Sequence, residues 1–341
     1  MLEFANLSSE EQVVYFQQTA GKMNLPPHLI EKDFWVCFGL RGLFSLPGLS
    51  EHLTFKGGTS LSKVYKVIER FSEDIDFAIS RDCIGFGEKN APDADGVSGE
   101  QRNKRLKALS EACLAKVKDE LFPALNESFL EMLTGNDWDL KLNEDEKSNQ
   151  QIYFRYPKSE VTQEDGYNPS YVRIELTART DNHPAESRTV TPYIAKQFQD
   201  AIKEPQVQVN ALTAERTFWE KVTILHQFHF QENPERVTAE FSRHYYDVFQ
   251  LDAKGFSETA IEQIELLPEV ADHKNTYYRQ AWARYDLARN PKTLELVPHQ
   301  DILAVIKKDY QDMEEMMFGD TPDFDEILDC LHILKQRINS L

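Results

Sequence analysis

The sequence predicts an α+β protein, with an α/β core preceded by helices and followed by a helical C-terminal part. Three observations carry that expectation. The first fifty residues place apolar side chains at helical spacing, the middle of the chain holds short runs that alternate with period two, and from Asn210 onward the pattern is helical again. The boundaries this suggests are a helical segment over 1–50, a core over 51–205 and a helical domain over 206–341.

The opening helices are EEQVVYFQQTA and HLIEKDFWVCFGLRGLF, separated by Leu25-Pro26-Pro27, a natural stop and restart. LTFKGG reads as a short strand entering a glycine turn. TSLSKVYKVIER reads as a helix, with Leu61, Val64, Tyr65 and Ile68 on one face. FSEDIDFAIS alternates as a strand. Residues 84–103 and 134–150 are polar connections, the first rich in Gly, Asp and Pro. A helix carrying Leu106, Leu109, Cys113, Leu114 and Val117 lies between them. QIYFRYP and YVRIELTA follow as strands, then ALTAERTFWEKVTILHQF and SRHYYDVFQL as helices.

Bulk properties narrow the class. The 341 residues are 41% hydrophobic and 28% charged, an ordinary balance for a folded chain. No apolar run approaches the ~18 residues a membrane span needs, and the start lacks a basic flank followed by an apolar stretch. Four scattered cysteines, without CxxC spacing, read as reduced thiols. A cytoplasmic protein without a membrane partner is therefore expected. The net charge of −19 runs against extended contact with nucleic-acid phosphates, so any such contact requires a local basic patch. Arg102, Lys104, Arg105 and Lys107 are the candidate cluster, though such clusters are usually solvated helix faces.

The chemistry centres on the strand at 71–80. Ile75, Phe77 and Ile79 alternate with Asp74, Asp76 and Ala78, so both aspartates leave the same face. Two close carboxylates repel unless a cation joins them, and hard oxygen pairs suit Mg²⁺, which completes its shell with phosphates. Alone, the pair equally fits a solvated acidic strand edge. Upstream, Gly57 and Gly58 allow a sharp turn, and Thr59 or Ser60 can cap the next helix, whose free N–H groups suit a phosphate. Glu175 alternates with Val172, Ile174 and Leu176 and could complete a two-metal site; its plainer reading is a surface acid paired with Arg173. Lys221 lies at the edge of the stripe of Phe218, Val222 and Leu225, where an inward amine needs an anion: a triphosphate, or Glu215 or Glu220. Arg243 and Asp247 have the spacing of a helical ion pair. His226 and His229 lack the further ligands of a zinc set and read as packing residues.

These blocks resemble a known family. EKDFWV (31–36), FKGGTSLSKVY (55–65), ERFSEDIDFAI (69–79), FWEKV (218–222), RHYYDVF (243–249) and DYQDMEEMMFGDTPDFDEIL (309–328) occur in the order of the AbiEii/AbiGii toxin nucleotidyltransferases, the toxin half of type IV toxin–antitoxin pairs. The resemblance spans roughly residues 28–340. It implies a polymerase-β-like nucleotidyltransferase core with a mixed sheet and flanking helices, Mg²⁺ (Mn²⁺ as the alternative) as cofactor, and a nucleoside triphosphate (NTP) as substrate. It also implies tRNA, at its 3′ end, as acceptor, and an antitoxin encoded alongside. Carried over residue by residue, the metal pair falls on Asp74 and Asp76, with Glu175 as third acid. The phosphate-contacting block falls on Gly57, Gly58, Thr59 and Ser60, to which Ser72 of the SEDIDF block is added. The later lysine and aspartate motifs fall on Lys221 and Asp247. His244 stands where the family's last motif commonly has aspartate, and the polar insertions depart from the pattern as well. Two other readings stay open: nucleotidyl or phosphoryl transfer to a protein or small molecule, and a non-catalytic nucleotide- or partner-binding module.

Overall fold

Alternating strands pair where their apolar faces can be covered, and here that produces one seven-stranded mixed sheet. In the computed structural model, residues 1–72, 74–143, 150–162, 170–319 and 321–341 are described, the side chain of residue 315 excepted. The strands are β1 (Leu53–Lys56), β2 (Ile75–Ile79), β3 (Asp139–Asn143), β4 (Gln150–Arg155), β5 (Val172–Thr177), β6 (Ala185–Val190) and β7 (Val207–Leu212). Their order across the sheet is β3-β4-β5-β2-β1-β7-β6. β2 runs parallel to β5 and β1 parallel to β7, while β1–β2, β3–β4 and β4–β5 are antiparallel.

The chain divides into two compact units. The first comprises 1–64, 72–94 and 99–211; the second comprises 65–71, 95–98 and 212–341. In the first, the helix Pro27–Phe44 is buried along most of its length, because Phe34, Trp35 and Phe38 pack into the aromatic core. Trp35 stacks on Tyr156 with ring centroids 5.6 Å apart, and Phe129 meets Phe154 edge-on at 4.6 Å. The charged residues of EKDFWV are buried too. Asp33 pairs with Lys63 and accepts from the Tyr193 backbone N–H at 2.7 Å. Glu31 accepts from Thr162 Oγ1 at 2.7 Å and Ser159 N at 3.2 Å. Burial pushes the Glu31 carboxyl upward against those hydrogen bonds.

The second unit is helical, built on Ala214–His229, Arg243–Ala253, Leu266–Tyr277, Gln300–Met313 and Phe324–Asn339. Thr213 caps the first of these by accepting from Arg216 N at 3.3 Å. His226 accepts from Glu295 N at 3.1 Å and lies 3.1 Å from the Arg284 carbonyl through its other nitrogen. His229 Nδ1 lies 2.9 Å from the Val297 carbonyl. Both histidines tie chain segments together.

Several expected boundaries move. The helix expected over 59–70 is only Gly57–Lys63. Lys66 takes a left-handed backbone (φ 55°), and beyond it Arg70 bridges Met317, with Phe71 N donating to Met316 O at 2.8 Å and Phe318 N to Glu69 O at 2.9 Å. Strand-like pairing to a distant segment takes the backbone groups that a helix would have used. The connection expected at 134–150 contains β3, whose Leu140 is buried and whose register with β4 is continuous from Asp139–Arg155 to Asn143–Gln151; residues 144–149 lie outside those described. Residues 85–98 are irregular apart from one turn of 3₁₀ helix at Glu88–Asn90, as the loop at 84–103 implied, but the helix Gly99–Lys116 begins inside that range. β6 and β7 were not anticipated: in β6 only Val190 is buried, so alternation is absent.

Candidate active site

β2 and β5 position the acids. Ile75 and Phe77 are fully buried on one face of β2, which sends Asp76 to the other. Ile174 and Leu176 do the same for Glu175 on β5. The parallel register pairs Ile75 with Ile174, Asp76 with Glu175 and Phe77 with Leu176. Asp76 and Glu175 are therefore direct neighbours, and Asp74 lies immediately before the strand, aligned with Arg173.

Arg173 answers the repulsion among these acids. Its Nε donates to Asp74 Oδ1 at 3.0 Å, a second guanidinium nitrogen donates to Asp74 Oδ2, and Nε is 3.3 Å from Glu175 Oε1. Partial burial works against its charge, but Asp74 and then Glu175 hold the guanidinium protonated more firmly than usual. Glu175 also accepts from Gln151 Nε2 at 3.2 Å, and Gln151 Oε1 accepts from Tyr153 Oη at 2.7 Å. Gln151 and Tyr153 are register partners of Glu175 and Arg173 on β4. This supporting row was not singled out from sequence, although the alternation QIYFR marks these positions as sharing a face.

The glycine turn abuts the acids. Gly57 has φ +80°, and a Cβ built there would collide with the Asp76 carboxylate. Thr59 does not cap the helix: the N-cap position is Lys56, without a side-chain cap. Thr59 is buried, and its hydroxyl lies against Ser72 (Oγ at 3.0 Å, carbonyl at 3.1 Å) and the Asp74 carbonyl, tying the turn to the start of β2. Ser60 is buried, with a hydroxyl that has no hydrogen-bond partner among the described residues. Gly57, Gly58, Thr59, Ser60, Ser72, Asp74, Asp76 and Glu175 thus gather in one unit.

Lys221 and Asp247 belong to the other unit and meet each other. Lys221 Nζ is 2.7 Å from Asp247 Oδ2, and Arg70 grips the same carboxylate through Nε at 2.9 Å and a terminal nitrogen at 2.8 Å. All three are buried. The anion beside Lys221 is thus Asp247, not Glu215 or Glu220, and Arg243 pairs with Glu240 at 2.9 Å. Burial would raise the Asp247 carboxyl, but Arg70 and Lys221 drive it well below the usual range. Burial lowers Lys221 despite Asp247, with Arg70 adding to the fall. His244 is likewise lowered by burial, then by Lys221 and Arg243, so it is neutral and adds no charge; its Nδ1 has no partner among the described residues. Two cations to one carboxylate leave the Arg70–Asp247–Lys221 group with an excess positive charge. Arg70, inside the ERFSEDIDF block, was not picked out from sequence.

The basic cluster is largely compensated. Lys104 pairs with Glu100 at 2.8 Å, Lys107 with Glu111 at 3.8 Å, and Arg105 donates to the Lys89 and Ala91 carbonyls at 2.9 and 2.7 Å.

No group of three or more His, Cys, Asp or Glu residues arranged to hold a metal stands among the described residues. Mg²⁺ needs only one or two carboxylates. Asp76 beside Glu175, next to the turn at Gly57, supplies a pair of hard oxygen donors, and in that respect the residues fit the ion.

The family profile described as nucleotidyl transferase AbiEii toxin, type IV TA system, matches residues 40–330. No curated protein matches the chain. Among solved structures, MenT4, a nucleotidyltransferase toxin from Mycobacterium tuberculosis H37Rv, is similar at 14% identity and a TM-score of 0.44, over 96% of this chain and 99% of that one. Among the described residues no helix is long and apolar enough to cross a membrane. With the profile running from residue 40 to residue 330 of 341, the chain belongs to the AbiEii family of nucleotidyltransferase toxins of type IV toxin–antitoxin systems, a membership that implies a cognate antitoxin.

Proposed function

We propose that this toxin transfers a nucleoside monophosphate from an NTP to the 3′ end of tRNA, in the cytoplasm and with Mg²⁺ as cofactor. The observation that carries the reading is the register of Asp76 with Glu175 beside the Cβ-free turn at Gly57. Asp76, with Glu175 and Asp74, would hold Mg²⁺, or Mn²⁺ in its place, which when bound offsets phosphate charge and polarises the α-phosphoryl group. The acceptor hydroxyl oxygen forms the new bond to the α-phosphorus; the bond from that phosphorus to the bridging oxygen breaks, and pyrophosphate leaves with its electron pair. The hydroxyl proton passes to solvent or to a carboxylate.

The chain's own residues supply position. Gly57 and Gly58 let the backbone approach a phosphate, and Thr59 fixes that turn against Ser72 and the Asp74 carbonyl. Ser60 offers a buried hydroxyl. In the second unit Asp247 orients Lys221, the lysine that the family resemblance gives as a triphosphate contact, and the group the two form with Arg70 keeps an excess positive charge. A second reading, transfer to a protein or small-molecule acceptor, draws support from the net charge of −19 and from the compensated lysines at 104 and 107.

The reaction type is tested by incubating the protein with NTPs labelled at either the α- or the γ-phosphate, and with RNA or protein acceptors. Label reaching acceptor from the α position only is the expected result. Transfer of the γ-label would replace nucleotidyl transfer with phosphoryl transfer.

A further inference from the structure

We propose that Arg173 is the built-in counter-cation of this site: it occupies Asp74 and Glu175 in the cation-free chain and must yield them when a divalent cation binds. The inference rests on the reading of Asp74, Asp76 and Glu175 as cation ligands.

Three carboxylates on the edges of two adjacent strands repel, and something must offset that repulsion for the sheet to be stable before any cation arrives. Arg173 is placed to do so. It stands two residues before Glu175 on the same face of β5 and lies across from Asp74 by the β2–β5 register. Its guanidinium meets Asp74 with both nitrogens of one edge and reaches Glu175 at 3.3 Å with the same Nε. The paired contact to Asp74 matches the planar fork of guanidinium to a carboxylate. Because arginine stays charged at any pH the protein survives, the contact ends by displacement and not by titration.

A cation taking Asp74 or Glu175 therefore competes with a resident charge. The competition weakens cation binding, and a guanidinium released from Asp74 and Glu175 becomes available to a substrate phosphate. Cation and nucleotide then favour each other's binding, because each removes a cost that the other would meet alone.

The test is Mn²⁺ binding to the full-length protein, followed by electron paramagnetic resonance, in wild type, Arg173→Gln, Arg173→Lys and Asp76→Asn. Arg173→Gln is expected to bind Mn²⁺ about ten-fold more tightly than wild type, the size of one such pair lost to competition. Arg173→Lys, which keeps the charge but loses the fork, is expected between the two and serves should Gln fail to fold. Unchanged or weaker binding in both Arg173 variants, with Asp76→Asn still abolishing it, overturns the counter-cation role and leaves the cation site standing. Binding that Asp76→Asn does not affect removes the cation site itself, and the inference with it. A purely structural role for Arg173 would weaken binding and could not tighten it.

Discussion

Asp76 on β2 and Glu175 on β5 are register partners on parallel strands, so two acids about a hundred residues apart in sequence stand side by side on one face of the sheet. Their neighbours Ile75, Phe77, Ile174 and Leu176 are completely buried on the opposite face. Packing is thus carried by one set of side chains and chemistry by the other, which separates what substitutions on each face do.

Asp76→Asn is expected to lower nucleotidyl transfer by about 10³-fold or more, several kcal/mol of transition-state stabilisation. The thermal midpoint should change little, or rise, since one charge leaves a crowded acidic face. Activity and calorimetry on the same preparation check this. An equally active variant would exclude Asp76 as a cation ligand.

Gly57→Ala separates backbone freedom from chemistry. At φ +80° an alanine costs about 1–2 kcal/mol, and its methyl group displaces the Asp76 carboxylate. The activity loss should exceed what the stability loss explains, read as kcat/KM below the temperature at which the variant begins to unfold.

Asp247→Ala leaves the buried cations Arg70 and Lys221 without their partner and should cost about 3–5 kcal/mol in urea unfolding. Lys221→Met should cost less, because Arg70 still satisfies Asp247. In the double variant Asp247→Ala/Lys221→Met the two losses should not add, since one unpaired cation has gone. Additive losses would mean that the Lys221–Asp247 contact is not formed in solution.

Burial holds His226 near a pKa of about 4, below its ordinary 6.5. The unfolded chain takes up a proton as pH falls through 6.5, whereas the folded chain does so only near 4. Between these values the unfolded state binds more protons, so stability falls as pH drops, by about 3 kcal/mol over the window. Comparing unfolding free energies of wild type and His226→Gln at pH 7, 5.5 and 4 isolates this share: the variant should lose less as pH falls. Parallel curves would mean that His226 titrates alike in both states.

Which residues of the candidate site share a strand face was legible because a strand's period of two is local. Ile75-Asp76-Phe77 and Ile174-Glu175-Leu176 declare their faces without knowledge of the fold, and the ERFSEDIDFAI block of the AbiEii pattern contains the first of the two. The pairing of those strands was not legible, because register across about a hundred residues is decided by the whole sheet. For the same reason Arg173 could be read as a partner of Glu175 but not as the clamp on Asp74. The helix expected over 59–70 stopped at Lys63 because the segment around Arg70 pairs with Met316–Phe318, a competition between distant backbones that helical periodicity does not register. β3 and β6 escaped notice because each buries too few side chains to show alternation. The anion beside Lys221 proved to be Asp247, one helix further on, where spacing within a single helix could not point.

The most direct test of the central claim is incorporation of α-³²P from each NTP into total bacterial tRNA in the presence of Mg²⁺, beside an Asp74→Ala/Asp76→Ala control. Label entering tRNA with the intact protein, and none with the control, is the predicted result. Folded, intact protein that leaves tRNA unlabelled with all four nucleotides would contradict tRNA as the acceptor, and equal labelling by the control would contradict the assignment of the aspartates.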